Sequence, residues 1–246
     1  MKSILLVTED IDGNTINSGV GTYVREIAYL LNDEGFDVSI LVERDITRKY
    51  IDEYYTRHGI KVYFVGDLYT DSKKEFDSAH WTLRRSHLVY NAIVNTGKHF
   101  DIIEFPDFTG SAFIPIRMKK YCGSFKTTTL LVKMHGYLLW HCDGMGDMPN
   151  KDAVLRDYID RYCIEQADEV ISPSQHLIDY TSELYGITRD ITLVRNPIND
   201  NFINYEFSNQ SSIVFFGRLE ERKGVLEFIN AIKVCNIQLP IIFVGM

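Results

Sequence analysis

The chain has 246 residues, 45% apolar and 24% charged, the balance of a globular protein with a sizeable core. A formal net charge of −8 argues against general affinity for nucleic acid, and no run of eighteen apolar residues offers a membrane span. The opening MKSILLVTEDIDGN passes from a short apolar run into acidic residues, unlike a signal peptide, so the cytoplasm is the expected compartment.

In chain order, SILLVT (Ser3 to Thr8) reads as a buried strand. Apolar residues then recur at Val20, Val24, Ile27, Ala28 and Leu31 with helical spacing, and Gly35 offers a stop. DVSILV and IKVYFV read as the next two strands, and the segment from Ser78 to Thr96 as a helix. The strand DIIEF, a helix near Ser111 to Tyr121, and the strand TTLLVKMH follow. Helices are expected around Lys151 to Gln166 and Ser174 to Tyr185, with strands in DEVISPS and ITLVRNP. The four cysteines (Cys122, Cys142, Cys163, Cys235) form no C-x-x-C pair and read as reduced thiols, mostly buried.

This alternation predicts a doubly wound, Rossmann-like α/β parallel sheet, which binds ligands at the carboxyl ends of its strands. The polar stretch NPINDNFINYEFSNQSS reads as a linker. The expected organisation is a first domain over residues 1–197, a linker over 198–211, and the start of a second Rossmann-like domain over 212–246. That last segment reads as strand, helix, strand, too little to cover both faces of its strands.

Candidate chemistry lies in the loops after strands. NSGVGTYV places Gly19 and Gly21 before a helix, where they either shape a turn or let a phosphate or sugar approach the backbone and the helix N-terminus. The third glycine of a dinucleotide fingerprint is missing, since Val24 stands there, and the loop is long; a nicotinamide enzyme is disfavoured. His135 ends a strand and is followed by Gly136, a position suited to chemistry or to a structural hydrogen bond. Tyr137 and Trp140 suit stacking on a sugar or ordinary packing. His141, Cys142, Asp143 and Asp147 are metal-capable types whose spacing matches no known pattern, so no metal site is expected. In FFGRLEERKGV, Arg218 and Lys223 stand at a strand-to-helix junction, where they would clamp a diphosphate; on charge pattern alone a solvated first turn is favoured.

GRLEERKGV resembles the G-R-L-x-x-x-K-G motif that opens the second domain of retaining family-4 glycosyltransferases of the GT-B fold. SGVGTYVREIAYLLNDEGFDVSIL, MHGY, ADEVISPSQHL, LVRNPIN and IIFVG resemble further segments of that family, in the right order over nearly the whole chain. The resemblance implies transfer of a sugar from a nucleotide-sugar to a glycan, lipid or small-molecule acceptor, with retention and without a bound metal or other cofactor. It implies that Arg218 and Lys223 hold the pyrophosphate, that Gly19 and Gly21 lie beside phosphate or sugar, and that His135 contacts the transferred sugar. Acceptor-side residues would be Gly110, Ser111, Tyr137 and His141. The family's later pair of glutamates would fall beyond Met246, so the expectation is an enzyme represented by its N-terminal part. The alternative is a catalytically inactive shortened protein that binds acceptor or a partner subunit. Finally, IRMKKYCGSFK gathers Arg117, Lys119, Lys120 and Lys126 among apolar residues, a solvated helix face or a weak peripheral contact with anionic lipid at the inner face of a membrane.

Overall fold

The computed structural model describes residues 1–11, 19–44, 48, 51–69, 79–198 and 211–245. Most of the first loop (12–18), Ser78, nearly all of the expected linker (199–210) and Met246 lie outside them. The chain divides into two units, Met1–Leu138 with Lys151–Asn199, and Leu139–Asn150 with Asp200–Met246.

In the first unit, β1 (Ser3–Thr8), α1 (Gly19–Asp33), β2 (Asp37–Val42), α2 (Ile51–Tyr54), a 3-10 turn (Thr56–His58), β3 (Lys61–Phe64) and α3 (Val65–Leu68) come first. They are followed by α4 (Trp81–Asn95), β4 (Ile102–Pro106), α5 (Phe113–Cys122) and β5 (Thr129–Lys133). After α6 (Leu138–Met145), which crosses into the second unit, come α7 (Lys151–Gln166), β6 (Glu169–Ser172), α8 (Gln175–Tyr185) and the two-residue β7 (Thr192–Leu193). The strands form one parallel sheet in the order β3-β2-β1-β4-β5-β6-β7. Every residue of β1 is buried, as expected of a strand paired on both sides, by β2 and β4, in the middle of a parallel sheet. Chain order reverses between β1 and β4, the topological switch point at whose carboxyl edge such sheets bind ligands.

The second unit contains β8 (Ile213–Phe216), a 3-10 turn (Glu221–Lys223), α9 (Val225–Val234) and β9 (Ile241–Val244). The strands pair in parallel, with Ile213 opposite Ile241 and Phe216 opposite Val244. Phe215 packs against Phe228 at 5.2 Å and Phe243 at 5.9 Å between ring centroids. Among the described residues the other face has no covering layer: Phe216 is 85% exposed and Val214 50%. Each such side chain forgoes roughly 1.5–3 kcal/mol that full burial would contribute.

The cysteines require a correction. All four are free thiols, but only Cys163, on the inner side of α7, is buried; Cys122 and Cys235 are exposed and Cys142 is half-buried. Cys122 closes α5 and Cys235 caps α9, and helix ends face water more readily than helix middles.

The loop after β4 turns sharply. Thr109 has φ 79° and Gly110 φ 69°, both left-handed, which costs a β-branched threonine about 1–2 kcal/mol. A Cβ on Gly110 would stand 2.6 Å from Ile159 Cγ2 and 2.7 Å from Thr82 Cγ2, so α4 and α7 close on this position. Gly110→Ala is expected to lose about 2–4 kcal/mol in urea denaturation, from backbone strain plus overpacking. Unchanged stability would show that the loop can relax away from both helices.

Candidate functional site

The carboxyl ends of β4 and β5 carry the site in the first unit. Glu104 pairs with Leu131, and alternation along a strand then places Lys133 on the same face as Glu104. Tyr23, from the second turn of α1, covers that face: its hydroxyl donates to Glu104 Oε1 at 3.0 Å, and Lys133 Nζ lies 5.0 Å from its ring centroid. The Lys133 ammonium also donates to the Val194 carbonyl at 3.0 Å, and its side chain is 1% exposed. Burial pushes the Glu104 carboxyl up to about 7, against the pull of the Tyr23 hydrogen bond and the Lys133 charge. Burial lowers the Lys133 pKa in turn, while Glu104 and Asp107 oppose that shift.

One step beyond β4, the Asp107 amide donates to the Lys133 carbonyl at 3.0 Å, extending the ladder. The buried Asp107 carboxylate then accepts from the next turn of chain after β5: the His135 amide donates to Oδ1 at 2.9 Å and the Gly136 amide to Oδ2 at 3.0 Å. Gly136 sits at φ 108°, where a side chain would be strained, so a glycine here is what lets both amides face one carboxylate. Burial raises the Asp107 carboxyl to about 7 despite these amide bonds. The His135 ring meets Tyr23 edge-on at 5.0 Å and Phe108 at 6.0 Å. Burial, aided by the charge of Lys133, lowers its pKa to about 3, so the imidazole is neutral at pH 7. It can give or take a hydrogen bond there, but it cannot serve as a cation.

Three acceptor-side expectations need correction. The Ser111 side chain is fully buried; its hydroxyl donates to the Glu43 carboxylate at 2.8 Å, and Arg85 Nε donates to the same carboxylate at 2.6 Å. Gly110 is enclosed by Ile159 and Thr82. Tyr137 is also fully buried, its ring 5.1 Å from that of Tyr185 and its hydroxyl 3.4 Å from the Thr181 hydroxyl that donates to it. Their surroundings give all three structural roles, because an acceptor has no open face of theirs to touch. Gly19, exposed, is the first residue of α1 and Gly21, buried, lies within its first turn, on the helix that supplies Tyr23.

In the second unit, β8 leads through Gly217 to Arg218, whose guanidinium pairs with Glu220 at 2.7 Å. Lys223 ends the 3-10 turn, and α9 starts only at Val225, after Gly224. Arg222 lies over the Trp140 ring at 5.3 Å, and a Cβ on Gly144 would stand 2.7 Å from Arg222 Cδ. This packing groups residues 139–150, His141 among them, with the second unit and not with the first-domain loops that the sequence suggested. Burial and then the charges of Arg222 and Arg218 lower the His141 pKa, with Lys223 adding to the effect. Arg218, Arg222, Lys223 and His141 thus form one basic cluster. Its Arg222–Trp140 contact was not legible in a run of two acidic residues followed by two basic ones.

Tyr23, Glu104, Asp107 and Lys133 also escaped the sequence reading. For Glu104, Asp107 and Lys133 the signal was charge at the carboxyl ends of otherwise apolar runs, IIEFPD and LLVKMHG. Among the described residues no group of three or more His, Cys, Asp or Glu side chains gathers as a metal site, and no helix is long and apolar enough to cross a membrane.

The fold has known likenesses. The catalytic domain of starch synthase IV from Arabidopsis thaliana, solved with ADP and acarbose, matches at TM-score 0.63 and 15% identity, over 99% of this chain and 68% of that one. HepE from Anabaena, solved with UDP and glucose, matches at TM-score 0.50 and 14% identity, over 100% of this chain and 70% of that one. At such identities these likenesses bear on the fold alone, the Rossmann-like parallel α/β fold found in GT-B glycosyltransferases. No curated protein sequence matches the chain. The sequence profile of Glycosyltransferase Family 4 matches residues 17–202, about three quarters of the length, and the chain therefore belongs to that family.

Proposed function

We propose that this glycosyltransferase moves a sugar from a nucleotide-sugar donor to a glycan, lipid or small-molecule acceptor with retention of anomeric configuration, in the cytoplasm. The observation that carries the reading is a neutral His135, fixed through its own amide by Asp107, at the carboxyl edge of a family-4 sheet. A neutral imidazole suits a sugar hydroxyl, which needs a hydrogen-bond partner and not a charge. Arg218 and Lys223 suit a diphosphate, and in this reading they neutralise the charge that grows on the departing nucleotide, a role a metal ion plays elsewhere. Gly19 is exposed at the N-terminus of the 15-residue α1, where the positive end of the helix dipole favours an anion, and Gly21 lies in the same turn. The ADP bound to the starch synthase and the UDP and glucose bound to HepE fit a nucleotide-sugar donor class here as well.

The direct test offers the full chain a panel of nucleotide-sugars with simple glycan and lipid acceptors and follows transferred sugar and its anomeric configuration by NMR. Retained configuration is expected; inverted product would overturn the mechanism. Binding of a donor with no transfer to any acceptor would point to the inactive, acceptor- or partner-binding alternative.

Two substitutions refine this. Arg218→Ala is expected to weaken nucleotide-sugar binding by about 1.5–3 kcal/mol in calorimetry, the worth of a hydrogen-bonded charge contact. An unaltered Kd would remove Arg218 from the donor site. His135→Ala should lower kcat about a hundredfold with little change in donor affinity, as loss of one well-aimed polar contact does; an equal loss in donor affinity would mean that His135 serves ground-state binding instead.

A weak contact with anionic lipid is the secondary proposal, carried by Tyr121, which is 68% exposed at the end of α5 with the Arg117 guanidinium 5.2 Å from its ring. The neighbouring Lys119 donates to the Thr128 carbonyl and to Asp168 at 2.6 Å, and Lys120 to Gln166, so part of the basic patch is engaged within the fold. Flotation with phosphatidylserine vesicles at low salt should carry a fraction of the chain upward; its complete absence would dismiss the contact.

A further inference from the structure

An imidazole anchored at its main chain can still turn about its side-chain torsions, and the outer one is broad for histidine. A neighbouring group must confine it. Tyr23 stands there, its ring edge-on to that of His135 at 5.0 Å between centroids. Tyr23 is buried and packs in the core with Ile4, Leu6 and Val24, where phenylalanine would fill the same space were the hydroxyl idle. It is not idle. From α1 it reaches across to β4 and donates to Glu104 Oε1 at 3.0 Å. We propose that Tyr23 and Glu104 form a positioning pair, in which the Glu104 carboxyl pins the Tyr23 hydroxyl and the pinned ring bears on the His135 imidazole.

Helix, cation and carboxyl together catch the Tyr23 ring. Its Cα is held by the 15-residue α1. Lys133 Nζ lies over the ring, 5.0 Å from its centroid, and is itself tied to the Val194 carbonyl at 3.0 Å. Glu104 holds the far tip. The sheet places Glu104 in turn: it stands opposite Leu6 of β1 and Leu131 of β5, so strands paired on both sides fix its Cα. Without the hydroxyl or its acceptor the ring can rock about its outer torsion, and the imidazole loses a firm neighbour.

The pair does not need a charged carboxyl. Burial raises the Glu104 carboxyl to about 7, yet its protonated form keeps an oxygen that accepts from the Tyr23 hydroxyl. Glutamine supplies an acceptor oxygen at the same reach, and leucine, of similar volume, supplies none.

The test follows the ring protons of His135 by NMR in the isotope-labelled full chain. In the native chain they should show nuclear Overhauser contacts to the Tyr23 ring and shifts displaced by its ring current. Tyr23→Phe, which keeps the ring and the Lys133 contact but removes the hydroxyl, should weaken those contacts and move the shifts toward those of an exposed histidine. Glu104→Leu should do the same, and Glu104→Gln should restore the native signals. An imidazole unmoved in Tyr23→Phe overturns the proposal, and so does a change in only one of Tyr23→Phe and Glu104→Leu. A change as large in Glu104→Gln would make the carboxylate charge the agent and equally contradict the pair. Should Glu104→Leu not fold, Tyr23→Phe, which lacks a single oxygen atom, decides alone.

The kinetic consequence rests on the transferase reading. With UDP-glucose or ADP-glucose as donor, kcat of Tyr23→Phe and of Glu104→Leu should each fall about tenfold, the scale of a slightly misplaced group, with donor KM unchanged. The double variant Tyr23→Phe/Glu104→Leu should lose no more than the worse single one, because either change removes the same interaction. Losses that multiply, or that fall on KM, would mark separate structural injuries and contradict the pair. If neither donor is turned over by the native chain, the transferase reading suffers, while the His135 ring signals still decide the role of Tyr23 and Glu104.

Discussion

Two amide hydrogens, from His135 and Gly136, converge on one buried carboxylate, and the candidate site depends on that convergence. Strand pairing brings it about. The Asp107 amide joins the β4–β5 ladder one residue past the strand, which aims its side chain across the end of β5. The main chain on either side of the imidazole is thereby anchored, and among the described residues the ring itself meets Tyr23 and Phe108 edge-on. Main-chain anchoring fixes where the side chain departs, and the flanking Tyr23 and Phe108 rings confine the imidazole, the kind of preorganisation a binding site needs.

The same edge concentrates charge in a way that stability alone does not explain. Glu104, Asp107 and Lys133 are withdrawn from water together, and burial works against the ionised form of each. A well-packed apolar set of similar volume would be at least as stable. Nearby, Thr109 holds a left-handed backbone that a β-branched residue adopts only under constraint. Strain and shifted pKa values gathered at the carboxyl end of a parallel sheet are what a binding edge looks like in physical terms. The basic cluster of the second unit has a different character. Arg218 remains largely in water beside Glu220, so its charge is ready for an anion at small desolvation cost.

Much of the first unit was legible in sequence because its strands are continuous apolar runs. SILLVT, DVSILV and TTLLVKMH could hardly be anything but buried parallel strands, and each was one. The short helices at Ile51–Tyr54, Val65–Leu68 and Leu138–Met145 were missed since one or two turns carry no readable periodicity. The site was legible only where a single residue sufficed. His135 could be placed from its position after a strand, whereas Glu104 and Lys133 share a face only through the β4–β5 register, which no local pattern encodes. Tyr137 misled for a related reason: an aromatic ring beside a candidate histidine looks available for stacking, yet α8 supplies Tyr185 and Thr181 to enclose it. His141 was assigned to the wrong unit because the contact that places its loop joins Trp140 to an arginine more than eighty positions away.

The central claim is that this sheet edge holds His135 neutral as a hydrogen-bonding group. Nitrogen-15 NMR of the histidine side chains, followed from pH 8 down to pH 5 in the full chain, tests it most directly. His135 should keep the two distinct nitrogen shifts of a single neutral tautomer over that whole range, consistent with a pKa near 3. An imidazole that titrates near the ordinary histidine value of about 6.5 would contradict the account, for it would place the ring in water and leave the buried edge without its proposed purpose.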